Sequence, residues 1–307
     1  MRPLSTRPIR FGLVGTGHWA RITHAPALAT TEGIEFTAIW GRNQRSVNQI
    51  ASKYGSSPHY DFDAFLADVD AVAFAVPPDV QSALAIRAAA SGKHLLLEKP
   101  VALTAADADA LVDAVEAAGV AALVFFTSRF QPVVRSWLAE VGTRRDWAGG
   151  SAVWLGSALT EASPFNTPWR RDKGALWDIA PHLVALLWAA LGPVTSVRAD
   201  AGQGDVAHLV LHHGGGASSA LTVTLAAPEA AGLVELFLWG PAGRSAAPVE
   251  SGDAVAPLRM ALTELVGCAR SGDHVHGCDV RFGRDVTRVI DDAQRQLTSV
   301  SGGSHTG

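Results

Sequence analysis

The chain has 307 residues, 48% hydrophobic and 18% charged, which excludes global disorder. That is long for one compact core, so two domains are expected. With 25 basic against 29 acidic residues, a formal charge of −4 and a pI near 6.2, the balance argues against nucleic acid or an anionic membrane as partner. Two cysteines, Cys268 and Cys278, make neither a disulfide framework nor a zinc spacing, as expected in a reducing compartment. Met1 to Arg10 carries Arg2, Arg7 and Arg10 but is broken by Pro3 and Pro8, with no long apolar run after it, so a cytoplasmic location is expected.

In chain order, short apolar runs at Ile9–Val14, Ile34–Trp40, 71–76, 94–97 and 121–126 predict buried strands. Between them, 19–30, Gln44–Tyr54, 80–90 and Ala105–Ala118 predict amphipathic helices. Strand–helix alternation of this kind implies right-handed crossovers and a parallel sheet covered on both faces. Residues 1–126 are therefore expected to form a doubly wound α/β domain. A second α/β domain over 127–300 is predicted from strands at 151–159, 195–199, 206–212, 218–225 and 233–239. Few helices separate these strands, so its sheet should be open and mostly antiparallel, with Gly214-Gly215-Gly216 as a hairpin connection. Helices are predicted at 175–191, 257–270 and 284–297, and a Gly/Ser-rich disordered tail at 301–307.

The first strand runs into Gly15-Thr16-Gly17-His18-Trp19-Ala20, a G-x-G-x-x-A pattern opening a helix. Gly15 permits the tight turn and Gly17 lets the backbone approach a pyrophosphate. Ala20 allows close helix–strand packing, and the helix N-terminus presents amide donors. The second strand ends in Gly41-Arg42-Asn43, where NAD-preferring sites commonly carry an acid for the ribose hydroxyls. A small residue followed by Arg leaves room for a 2′-phosphate and supplies a cation, so NADP is preferred and NAD possible.

Glu98-Lys99-Pro100 follows the fourth predicted strand, at the sheet edge where ligands bind in such folds. An ammonium there can stabilise an oxyanion, while Glu98 can hold a ribose hydroxyl or steady Lys99. Taken alone, the pair fits a solvated surface position as well. Asp178 and His182 are four apart, hence on one face of the predicted helix, and Pro181 fits only in a first turn. A histidine suits proton transfer with a hydroxyl and a nearby carboxylate can orient it, although a structural Asp–His pair has the same spacing. No metal site is expected: His274-Val275-His276-Gly277-Cys278 lacks a convincing fourth ligand.

The ordered set Gly15-x-Gly17-x-x-Ala20, Gly92-Lys93-His94-Leu95-Leu96-Leu97-Glu98-Lys99-Pro100 and Asp178-x-x-x-His182 resembles the Gfo/Idh/MocA oxidoreductases over about residues 9–300. The resemblance implies an N-terminal Rossmann domain and a C-terminal α/β domain whose open sheet joins subunits into homodimers or homotetramers. It implies Lys99 as hydrogen-bond donor at the reacting oxygen, His182 as general acid/base and Asp178 as its assistant. It adds cofactor contacts from Val76-Pro77-Pro78, Arg129 and Trp169-Arg170. Gln81 stands where members often carry His, and Ala180 replaces a frequent glycine. The expected activity is hydride transfer between NADP(H) and a sugar, polyol or related hydroxyl or carbonyl compound. A non-catalytic nucleotide-binding sensor and an NAD-dependent glycosidase are the alternatives within the same fold.

Overall fold

The computed structural model describes residues 7–249 and 252–302. Two compact units emerge, one of Met1–Phe130 with Gly252–Arg284, the other of Gln131–Ser251 with Asp285–Gly307. Sequence reading placed everything after residue 126 in the second domain, whereas Gly252–Arg284 folds with the first.

The first unit holds β1 (Ile9–Val14), β2 (Ile34–Trp40), β3 (Ser57–His59), β4 (Ala71–Phe74), β5 (His94–Glu98) and β6 (Ala122–Phe125). They pair in parallel in the order β3-β2-β1-β4-β5-β6, the doubly wound arrangement, with its switch point between β1 and β4. All four residues of both β4 and β6 are buried, because helices cover both faces of a parallel sheet. The first unit's N-terminal helices are α1 (Ala25–Thr30), α2 (Gln44–Tyr54), α3 (Phe62–Ala67), α4 (Pro78–Ala90) and α5 (Ala105–Ala118).

Two elements here escaped sequence reading. β3 is three residues long and contains Pro58, and α3 has six residues, too few to display a period. Asp61 caps α3 by accepting the Ala64 N–H at 2.8 Å, and the helix sets Phe65 against β1. That contact explains Gly12: a Cβ there would lie 2.3 Å from the Phe65 ring.

The predicted helix 19–30 is wound in two ways. Ala20–His24 forms a π turn and α1 follows directly. Pro26 has no N–H and its ring crowds the carbonyl four residues earlier, and the wider turn relieves both.

In the second unit, α6 (Pro132–Gly142) was not anticipated, although Val134, Trp137 and Val141 bury one face at helical spacing. β7 (Gly149–Leu155) follows, then α7 (Pro168–Asp178), α8 (Ala180–Leu191), β8 (Val194–Ala201), β9 (Ala207–His213), β10 (Ser218–Thr224), β11 (Leu233–Gly240) and β12 (Gly243–Ala246). The sheet order is β12-β11-β7-β10-β9-β8, antiparallel throughout except for the β10–β7 pair. Gly214-Gly215-Gly216 does connect the β9–β10 hairpin, with Gly216 at φ +89°. One face of the sheet packs on α8, where a Cβ at Gly150 would lie 3.0 Å from Leu187. The other face carries exposed Val210 and Trp239.

Pro168–Leu191 is apolar and long enough by composition to cross a membrane, but 78% of its most apolar window is buried inside the protein. It is also no single helix, being interrupted at Gly174 and at Ile179. The chain closes with α9 (Val255–Ser271) and α10 (Val280–Gly302). Residues 301 and 302 of the predicted tail are helical, and 303–307, like residues 1–6, lie outside the described residues.

Candidate active site

The glycine loop occupies the switch point. Gly15 has φ +120°, a conformation that side chains rarely adopt, and a Cβ there would fall 2.4 Å from the Ala75 carbonyl oxygen. The turn after β1 thus lies close against the Ala75 backbone, just before Val76-Pro77-Pro78. Gly17 faces the opposite situation: a Cβ would meet nothing within 4 Å. Its backbone is open to an incoming anion, beside exposed His18 and half-buried Trp19 at the helix start.

Arg21, not singled out from sequence, braces this loop by donating from Nε to the Thr16 carbonyl at 3.0 Å and from its guanidinium to Gln49 at 3.3 Å. Gly41 packs against the loop from β2, since a Cβ would lie 3.0 Å from Thr16 Cγ2 and 3.3 Å from Val47. Arg42 is exposed and makes no hydrogen bond or ion pair among the described residues. Asn43 has a local task, its Oδ1 accepting the Ser46 N–H at 2.9 Å to cap α2.

At the end of β5, Glu98 is held from several sides. Its Oε1 accepts the Trp19 indole N–H at 2.6 Å and lies 2.7 Å from His24 Nε2. Gln81, fully buried on α4, clamps its backbone: Oε1 accepts the Glu98 N–H at 2.8 Å and Nε2 donates to the Glu98 carbonyl at 2.8 Å. The same amide reaches the Pro100 and Val101 carbonyls at 3.3 and 3.4 Å. Gln81 therefore shapes the turn that presents half-buried Lys99, through a cis Lys99–Pro100 peptide. Arg129 belongs to a 3₁₀ turn after β6, where it donates to the Gly277 carbonyl at 3.2 Å and lies over Phe282.

In the second unit, Asp178 ends α7 and His182 sits in the first turn of α8, both buried. Pro181 falls in that first turn, where its missing N–H costs nothing, and the helix is interrupted just before it. Gly174, at φ +64° and ψ −165°, bends α7 back on itself. Arg170 then reaches across the bend to Asp178, with Nε–Oδ2 at 2.6 Å and a second guanidinium nitrogen to Oδ1 at 3.3 Å. It also donates to the Phe165 carbonyl at 3.3 Å and faces the Trp169 ring at 5.8 Å. A bidentate arginine holds a buried carboxylate in one orientation. Arg170, for which sequence resemblance implied a cofactor contact, is engaged within the protein by this ion pair. His182 lies against Trp154 of β7, ring centroids 5.6 Å apart.

Among the described residues no group of three or more His, Cys, Asp or Glu side chains is placed to hold a metal ion. His276 is committed to Glu264 at 3.0 Å and to the Cys278 N–H at 3.0 Å.

A family model described as "Oxidoreductase family, NAD-binding Rossmann fold" matches residues 9–126, and the GFO/IDH/MocA C-terminal domain matches residues 144–244. The chain belongs to the Gfo/Idh/MocA oxidoreductase family. D-apiose dehydrogenase of Paraburkholderia graminis is 29% identical over 236 residues, 71% of this chain and 61% of that protein. An uncharacterized oxidoreductase, ORF334 of Rhizobium meliloti, is 36% identical over 108 residues, 34% of this chain and 32% of that one. Among the first curated relatives the matches span 32 to 63% of their lengths. Similarity to solved structures extends further along the chain. GenD2 from gentamicin A biosynthesis, in complex with NAD, superposes with a TM-score of 0.83 at 18% identity, covering 96% of this chain and 95% of that one. The WlbA dehydrogenase from Bordetella pertussis, in complex with NADH and UDP-GlcNAcA, gives 0.81 at 24% identity, covering 96% and 98%. At these identities the structures establish a shared fold. Like the family as a whole, this Gfo/Idh/MocA member carries an NAD-binding Rossmann domain followed by a mixed-sheet α/β domain.

Proposed function

We propose that this Gfo/Idh/MocA member is a cytoplasmic dehydrogenase or reductase that prefers NADP(H), accepts NAD(H), and acts on a hydroxyl or carbonyl group of a sugar, polyol or related compound. The observation that carries this reading is the buried Asp178–His182 turn, with Asp178 fixed by Arg170. The carboxylate so held lies four residues before a buried histidine, the group suited to taking or giving a hydroxyl proton near neutrality. When bound, the nicotinamide supplies the hydride acceptor or donor. Lys99 donates to the substrate oxygen and stabilises its developing negative charge, and His182 moves its proton. Gly17 and the free oxygen of Glu98 fit a dinucleotide, and exposed Arg42 after a glycine fits a 2′-phosphate. The exposed sheet face with Val210 and Trp239 is the surface proposed for self-association.

Two measurements test this. Fluorescence titration should give at least about tenfold tighter binding of NADPH than NADH, and Arg42→Ala should erase the difference. A screen of neutral sugars and polyols with both cofactors should find turnover that Lys99→Ala and His182→Ala each abolish. Turnover that survives in both variants overturns the assignment of the chemistry.

A further inference from the structure

His24 is fully buried, yet nothing in the proposed chemistry uses it. Its Nε2 lies 2.7 Å from Glu98 Oε1, and its Nδ1 is buried without a hydrogen-bond partner. A carboxylate oxygen accepts, so Nε2 is the donor in this contact. As core filling this is poor: an apolar side chain would pack against Phe125 without leaving a buried polar atom unpaired. The imidazole is accounted for by what its one hydrogen bond does to Glu98.

The local winding of the chain serves the same end. Trp19 and His24 are five residues apart, which on an α-helix of 3.6 residues per turn would separate them by about 140°. The π turn Ala20–His24, closed by the Ala25 N–H on the Ala20 carbonyl, brings both donors to one side of the helix. There they meet a single oxygen, Glu98 Oε1, at 2.6 and 2.7 Å. Gln81 holds the Glu98 backbone as well, so the carboxylate is tied down at Oε1 and through its main chain. Its other oxygen, Oε2, receives no donor from any described residue.

We propose that His24 is a positioning residue for cofactor binding: with Trp19 it locks Glu98 Oε1 so that Oε2 is presented, already oriented, to a hydroxyl of the dinucleotide. The proposal rests on the reading of Glu98 as a cofactor ligand. Pre-orienting an acceptor removes an ordering cost from binding, so the loss of His24 appears in cofactor affinity and not only in stability.

The test is a set of NADH and NADPH fluorescence titrations on the full chain, with melting followed in parallel. His24→Leu should weaken both nucleotides about 5- to 20-fold. His24→Gln, whose amide N–H reaches a similar position, should stay within about threefold of wild type. Trp19→Phe should weaken binding through the same oxygen. On a Glu98→Gln background, His24→Leu should cost no more than about twofold further, because its effect passes through the carboxylate. If His24→Leu does not fold, His24→Asn, too short to reach Glu98, takes its place against His24→Gln. Binding unchanged in His24→Leu or His24→Asn, or an undiminished loss on the Glu98→Gln background, overturns the role of His24. Unchanged binding in Glu98→Gln alone instead removes Glu98 as a cofactor ligand, and the proposal with it.

Discussion

Replacing Arg170 by methionine tests the Asp178 ion pair most directly. The substitution keeps an unbranched stem beside Phe165 and removes two donors at 2.6 and 3.3 Å from a carboxylate whose side chain is 8% exposed. Removing one partner of a buried ion pair costs about 3–5 kcal/mol. The Arg170 end is 21% exposed, so water can follow into the gap, and about 2–3 kcal/mol is expected. For an unfolding unit of this size that is a fall in Tm of about 5–10 °C. Arg170→Lys, a point charge in place of a planar fork, should lie between. In Arg170→Met/Asp178→Asn neither charge remains, and at least half the loss should return. The assay is thermal melting of these three variants and of Asp178→Asn alone at neutral pH. A Tm for Arg170→Met within about 2 °C of wild type would falsify the argument that this pair fixes Asp178. So would a double variant that loses the sum of the two singles.

Two glycines of one loop should respond oppositely. Gly15→Ala meets the Ala75 carbonyl at φ +120° and should destabilise the protein by at least about 2 kcal/mol. Gly17→Ala places its methyl in open space, so melting should stay within about 0.5 kcal/mol of wild type. NADH affinity should nevertheless fall at least about tenfold, because the methyl occupies the pyrophosphate approach; tight NADH binding would remove Gly17 from that role. Asp70 supplies an acid-sensitive element. Burial alone would raise its pKa, but the Arg10 side chain and backbone N–H, with Arg7, outweigh this and lower it from 3.8 to about 2. A depressed acid contributes stability above its unfolded pKa and loses it as pH falls through the folded one. Discounted for its 35% exposure, the contribution is about 1 kcal/mol. The stability gap between wild type and Asp70→Asn should hold above about pH 5 and close between about pH 4 and 2. A gap independent of pH would show that Asp70 acts by packing alone.

Where a local pattern fixes the structure, the sequence was readable. The glycine loop, the apolar runs of β1 and β2 and the capped helices α2 and α5 announce themselves within a few residues. Pro181 likewise marks a helix start in the middle of an apolar run. Contacts between distant segments were not readable. Nothing near Arg170 says that Gly174 will turn it onto Asp178. Trp19, read as a cofactor contact, spends its N–H on a residue 79 positions later. His24 carries a faint signal, an imidazole amid apolar neighbours before Pro26, but its partner is 74 positions away. The return of Gly252–Arg284 to the first unit left no trace in composition, since that stretch is an ordinary amphipathic helix with a loop.

That return has a consequence for how the protein is made. The outer edge of β6 is closed late, when the Val124 N–H donates to the Cys278 carbonyl at 2.8 Å and Leu123 bridges to Asp279. During synthesis about 150 residues, Gln131–Ser251 of the second unit among them, leave the ribosome between the two halves of this contact. Until then β6 is an uncapped edge strand of apolar residues, the kind of template on which stray chains pair. A nucleotide-binding fragment cut at residue 126 would keep that edge bare permanently. Dissecting this protein for expression or domain exchange therefore calls for grafting Gly252–Arg284 back onto the N-terminal half.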